Sequence, residues 1–184
     1  MNVKYIESFF NNDRTDDVDI KKFLRGVSSF LLIKINYDNE DKDSFNYCFQ
    51  KYYLLNKSTK SSDDIFKLFW NLDRKSGKQV FSSILSAGYL NKKTHADVTY
   101  ASKFANIVSP SFPIFDKRIR TALKITSAEL DDIDCLVADT KHFYEKLKNS
   151  FKFKYFKNYI RKIYGKYGIN YVRLIDFIIW SKKQ

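Results

Sequence analysis

Lys103 and Asp116 are the residues of this chain whose types and spacing best suit chemistry. A lysine amine in a desolvated site is a nucleophile, and a carboxylate stabilises positive charge that builds in a transition state. Between them runs a stretch that holds both prolines of the chain, Pro110 and Pro113. Before the first proline, Ala101, Phe104, Ala105 and Val108 fall at i, i+3, i+4 and i+7, one apolar stripe of a helix. Lys103 stands off that stripe, beside Ser102 and Asn106. The prolines remove two backbone donors and push their preceding residues out of the α region, so the chain turns sharply. Asp116 then stands where an N-cap belongs, ahead of a helix over 117–123. The spacing predicts a compact unit that brings one amine and one carboxyl group towards the same mouth.

The order Ser102-Lys103, apolar helix, Pro110, then Phe112-Pro113-Ile114-Phe115-Asp116 and a basic-apolar helix resembles the 8-oxoguanine-DNA-glycosylase-like branch of the helix-hairpin-helix glycosylases. The likeness covers roughly residues 99–123, with a weaker echo at Ile175-Asp176-Phe177-Ile178-Ile179-Trp180. It implies a DNA glycosylase that turns a damaged or modified base out of the duplex and cuts its bond to the sugar. Lys103 would be the Schiff-base nucleophile, with an associated AP-lyase step, and Asp116 the carboxylate facing the sugar. Two features depart from the family pattern. Lys93-Thr94-His95-Ala96-Asp97-Val98-Thr99 stands where a glycine-rich hairpin belongs, and the lysine-to-aspartate spacing is shorter than in larger members.

Further candidates surround this pair. Lys117, Arg118 and Arg120 follow Asp116 at a helix N-terminus and are candidates for phosphate contacts. Tyr100 and Ser102 are candidates for substrate binding, and Tyr100, Phe112, Phe115 and Trp70 for stacking on a flipped base or wedging the duplex. Each also has a plain structural reading. Asp116 is a good N-cap, Lys103 a solvated lysine at a helix flank, the basic trio a solvated face, and the aromatics core.

Charge supports a polyanion partner. The 184 residues carry 33 Lys/Arg against 21 Asp/Glu, a net charge of +12. Residues 1–50 hold 7 basic and 9 acidic residues, 51–100 hold 9 and 4, 101–150 hold 8 and 7, and 151–184 hold 9 and 1. The excess is concentrated in the tail, where aromatics alternate with lysines over 151–166. That segment reads as an auxiliary DNA surface, or as an amphipathic helix with snorkelling lysines. With about five phosphates contacted, log affinity falls with log salt at a slope of roughly −4 to −5. Enrichment in Lys, Asn, Ile, Tyr and Phe is also what an AT-rich genome produces.

Cys48 and Cys135 have no Cys-x-x-Cys spacing and read as reduced, buried thiols. With His95 and His142 they form no recognisable ligand set, so neither a metal nor a cofactor is expected. No apolar run reaches membrane-span length, and Asn11-Asn12-Asp13 interrupts any signal-peptide core. The expectation is a cytoplasmic monomer, nucleoid-associated if bacterial, whose partner is double-stranded DNA.

The positioning elements are helical throughout. Residues 1–16 read as a short helix or arm. A buried helix over 17–35 carries Ile20, Phe23, Leu24, Val27, Phe30, Leu31 and Ile35. Helices follow over 44–55, from a cap at Ser62 through Ile65, Phe66, Phe69 and Trp70, and over 79–90 with Val80, Ile84, Leu85 and Tyr89 inside. Beyond 123, Ser127 reads as a cap, 137–147 continues or restarts that helix, and 151–164 forms another. Gly165 and Gly168 bracket a turn, and Asn170 caps a last helix striped by Val172, Ile175, Ile178 and Ile179. The fold class is all-α, about eight helices in two lobes, roughly 1–90 and 91–184, around a cleft. Two other readings stay open: a helical module that binds nucleic acid without chemistry, and a protein-interaction domain. A defence role against modified viral DNA is a variant of the glycosylase reading.

Overall fold

Tyr171–Trp180 is apolar or aromatic apart from Arg173 and Asp176, and every residue from Val172 to Ile179 is buried. A helix of that kind belongs at the centre of a core rather than on its surface. The computed structural model describes residues 4–53, 61–72, 76–87, 95–165 and 169–183. Among them it has eleven helices: α1 (Lys4–Asn11), α2 (Ile20–Asp38), α3 (Lys42–Tyr53), α4 (Ser61–Asn71), α5 (Gly77–Ala87), α6 (His95–Val108), α7 (Lys117–Leu123), α8 (Ser127–Asp131), α9 (Ile133–Leu147), α10 (Phe151–Tyr164) and α11 (Tyr171–Trp180). The chain is all-α, with one isolated antiparallel bridge between Val18 and Lys182 among the described residues.

Two compact units divide it, Met1–Phe23 with Pro110–Gln184, and Leu24–Ser109. The first is discontinuous, so the cuts fall at 23/24 and 109/110 and not near residue 90. The N-terminal segment joins the C-terminal helices through three links. Residues 17–19 pair with 181–183, with Asp19 N–H donating to Ser181 O at 2.8 Å and Lys183 N–H to Asp17 O at 2.9 Å. The fully buried Lys152 on α10 sets its ammonium against Asp17 Oδ2 at 3.1 Å and Asn12 O at 2.9 Å. The Phe23 ring packs on Phe156 and Phe177. α11 packs against α7, α9 and α10, and α1 against α10.

The second unit is an aromatic core. Phe49, Phe66 and Phe69 from α3 and α4 surround Phe104 of α6, with Phe49 stacked on it at 4.1 Å and Phe45 stacked on Phe69. Burial of each such ring is worth about 1.5–3 kcal/mol. α5 lies along α6.

Caps explain several boundaries. Asp116 caps α7, Ser150 caps α10 and Asn170 caps α11, each side chain accepting a first-turn amide. α10 ends at Tyr164 with Gly165 at φ 58°, a left-handed angle that suits glycine. Several expectations are corrected. Thr126, not Ser127, caps α8, because its hydroxyl and Glu129 form a reciprocal capping box. Asp132 then starts α9 with its own cap on Cys135 N–H. α4 already includes Ser61, ahead of the cap expected at Ser62. On α2 the buried line runs Phe23, Val27, Phe30, Ile33 and Tyr37, so Ile35 is 40% exposed, and Ile20, Leu24 and Leu31 are half-buried. Neither thiol is buried. Cys48 is half-buried under Asn36, and Cys135 is exposed on the first turn of α9. The charges of Asp139 and Asp132 push the Cys135 thiol up, away from thiolate character. The loop at 56–60, Tyr89 and the end of the helix before Leu90, and Gly168 lie outside the described residues.

Candidate functional site

The candidate residues fall in both units, and each set is built within its own. In the second unit, α6 carries Lys103. The stripe residues Ala101, Phe104 and Ala105 are buried as expected, but so are Ser102, Lys103, Asn106 and Ile107 on the other faces. α6 is therefore enclosed from 101 to 107, and Lys103 is not a solvated flank lysine. It is 9% exposed, and its Nζ lies 4.6 Å from the Tyr53 ring centroid and 5.0 Å from that of Tyr100. Two ring faces thus replace part of the water an ammonium loses on burial. Burial also pushes the Tyr100 phenol up, which keeps it neutral. The Ser102 hydroxyl turns back and donates to Thr99 O at 2.9 Å.

The same unit holds a hollow of about 460 Å³ at the Val108 end of α6, lined by Tyr37, Glu40, Lys42, Phe69 and Trp70. Trp70 is half-buried, stacks on Tyr37 at 5.8 Å, and donates its indole N–H to Asn46 Oδ1 at 3.2 Å. Its ring faces this hollow, which Lys103 does not line.

In the first unit, Asp116 is half-buried at the start of α7. Its Oδ1 accepts from Ile119 N–H at 2.9 Å, and Oδ2 makes no hydrogen bond among the described residues. The carboxylate thus serves as an N-cap and still presents an oxygen. Lys117 and Arg118 are exposed. Arg118 lies over the Trp180 ring at 5.6 Å and donates to Trp180 O at 3.1 Å, and Lys22 sits on the same ring at 4.4 Å. Two cations at the C-terminal end of α11 suit its dipole. Arg120 is half-buried, its Nε without a hydrogen bond among the described residues. Burial lowers its pKa and the charge of Asp116 raises it. Phe112 and Phe115 are core, packed edge to face at 6.4 Å, and do not stand out as wedges.

What fixes the segment leading into Asp116 is a buried polar group on α11. Asp176 is 1% exposed. Its Oδ2 accepts from Ile114 N–H at 3.3 Å, its Oδ1 from the Tyr144 hydroxyl at 2.8 Å, and Arg173 Nη1 approaches at 3.8 Å. Burial pushes the Asp176 carboxyl up to about 7 and Asp116 adds to the rise. The Arg173 charge, the Tyr144 hydroxyl and the Ile114 amide pull against them. Tyr144 is held well above its ordinary range by burial and by Asp176. No three His, Cys, Asp or Glu side chains among the described residues gather as a metal site, and no helix among them is long and apolar enough to cross a membrane.

No family model, curated protein or solved structure matches the chain.

Proposed function

We propose that the chain is a DNA glycosylase with Lys103 as its Schiff-base nucleophile; the resemblance gives Asp116 the role of the carboxylate that stabilises positive charge on a sugar. The observation that carries this reading is the burial of Lys103, which withdraws its amine from water. A desolvated amine is the form activated for Schiff-base chemistry. The bond from C1′ to the base nitrogen breaks, its electron pair leaves with the base, and the base takes up a proton. The neutral amine adds to C1′, loses a proton, and the opened sugar is held as an imine, from which strand cleavage at the 3′ side follows. Asp116 Oδ2 suits the electrostatic role, since only Oδ1 is engaged by the cap. Lys117 and Arg118 are exposed beside it for phosphate contacts.

The test is borohydride trapping on duplexes carrying single modified bases, with mass spectrometry of the released base. A covalent adduct that disappears in Lys103→Gln is the expected result. Base release undiminished in that variant, or no release from any duplex, overturns the reading.

One observation favours a second reading, a DNA-binding helical module without chemistry. Two ring faces also stabilise an ammonium that stays charged, which is a structural use of Lys103. Duplex binding with neither adduct nor free base selects it.

A further inference from the structure

α10 presents two chemistries side by side. Its buried line is Lys152, Phe153, Phe156 and Ile160. On the arc beside that line, at a spacing of four, stand Phe151, Tyr155 and Tyr159. Phe151 is 44% and Tyr155 40% exposed, and Tyr159 is half-buried. Their rings form a ladder. Phe151 and Tyr155 lie 6.3 Å apart at 19° between planes, and Tyr155 and Tyr159 6.3 Å apart at 9°. Alongside run Lys154, Lys157, Arg161 and Lys162, all exposed, and none is paired with a carboxylate among the described residues. The helix itself has no acidic residue.

Large exposed rings cost solubility, and cations set in a row with no counter-charge repel one another. Both features are relieved by one ligand that offers planar apolar faces along a chain of negative charges. We infer that the exposed face of α10 binds single-stranded DNA, bases stacking on Phe151, Tyr155 and Tyr159 while phosphates follow Lys154, Lys157 and Arg161. The ring interval decides between strand forms. Bases in duplex follow one another at about 3.4 Å along a strand, so rings 6.3 Å apart cannot continue a duplex stack. They suit a strand whose bases have already parted, and single-strand binders combine aromatic platforms and cationic grooves in this way. The inference rests on the reading of the chain as a DNA-binding protein and not on the Lys103 chemistry.

The experiment is fluorescence anisotropy with the full chain and labelled oligonucleotides: a thymine 12-mer, the same length of uridine RNA, and a duplex. Vesicles of phosphatidylserine serve as a competing anionic surface. The thymine strand is expected to bind tightest. Tyr155→Ala with Tyr159→Ala weakens it about tenfold or more, whereas Tyr155→Phe with Tyr159→Phe leaves it within about twofold, since the ring faces remain. Far-UV circular dichroism checks that both variants fold. A duplex, RNA or vesicle preference overturns the inference, as does an affinity for the thymine strand indifferent to loss of the rings. Lys103→Gln is included to keep two questions apart. Wild-type strand binding in that variant supports this surface whatever becomes of base release. Base release that persists when the ladder is removed and no strand binding is found sinks this surface alone.

Discussion

Asp176→Asn isolates the charge of the buried carboxyl while keeping its shape. The carboxyl titrates at about 7 in the folded chain against an ordinary 3.8. Between those values the native state holds a proton that the unfolded chain has released, so stability falls as pH rises through the window. Below about 4 both states are protonated and nothing is lost. Above about 7 both are ionised and the full cost of the buried charge is present, roughly 4 kcal/mol. Arg173 is already in that balance, since its charge pulls the carboxyl down and burial outweighs it. Asparagine is neutral at every pH and close in shape to the protonated acid. Its Oδ1 can accept from Ile114 N–H, and its amide can donate to Tyr144, whose hydroxyl both gives and takes hydrogen bonds.

The variant is therefore expected to come within about 1 kcal/mol of the wild type near pH 4.5 and to be more stable at pH 8.5 by up to roughly 4 kcal/mol. For a chain of this length that is a rise in melting temperature on the order of 10 °C. Thermal unfolding of both proteins by far-UV circular dichroism, at fixed ionic strength across that range, reads the difference. Only the pH-dependent part is attributed to Asp176, because every other group is common to both chains. A constant difference, or a variant less stable at pH 8.5 by the 3–5 kcal/mol typical of a broken buried ion pair, refutes the claim that burial outweighs Arg173. Asp176→Leu is the contrasting case. It removes both acceptors, leaves the Ile114 amide and Tyr144 hydroxyl buried without them, and is expected to cost roughly 2–4 kcal/mol even at pH 5.

Three further outcomes follow from the geometry. Asp116→Ala loses the cap of α7 and is expected to cost about 1 kcal/mol, while Asp116→Asn keeps the cap and melts as the wild type; under the proposed function both lose base release, which separates the two roles in one pair of assays. Lys152→Met removes the ammonium that ties Asp17 and Asn12 to α10, and roughly 2–4 kcal/mol of stability with it, read by urea unfolding. Phe104→Ala opens a cavity among Phe49, Phe66 and Phe69 and is expected to cost about 3–5 kcal/mol by the same measurement.

The elements that the sequence made legible are those whose signals are local. The span of α10 follows from its apolar period and the glycine after Tyr164, and the starts of α7 and α11 from Asp116 and Asn170. The start of α8 is legible too, since Thr126-Ser127-Ala128-Glu129 has the Thr-x-x-Glu form of a capping box, although Ser127 is also a residue type that caps helices. What periodicity cannot reach is the state of a polar residue on a helix enclosed on every side. Lys103 lies off the apolar stripe, a position that reads as solvent-facing unless the neighbours are known, and the rings that cover it include Tyr53, fifty residues earlier. Arg173 and Asp176 did carry a signal. Tyr171 to Trp180 has no polar face, so a cation and a carboxylate three apart within it have no route to water and must be satisfied inside the protein. The partners of Asp176, Tyr144 and the Ile114 amide, are 32 and 62 residues away. Those partners place the double-proline segment, and with it Asp116. The geometry of the candidate carboxylate is thus set by a residue that no local pattern connects to it. A substitution at Asp176 that spares the fold is accordingly expected to act on Asp116 through the Ile114 bond.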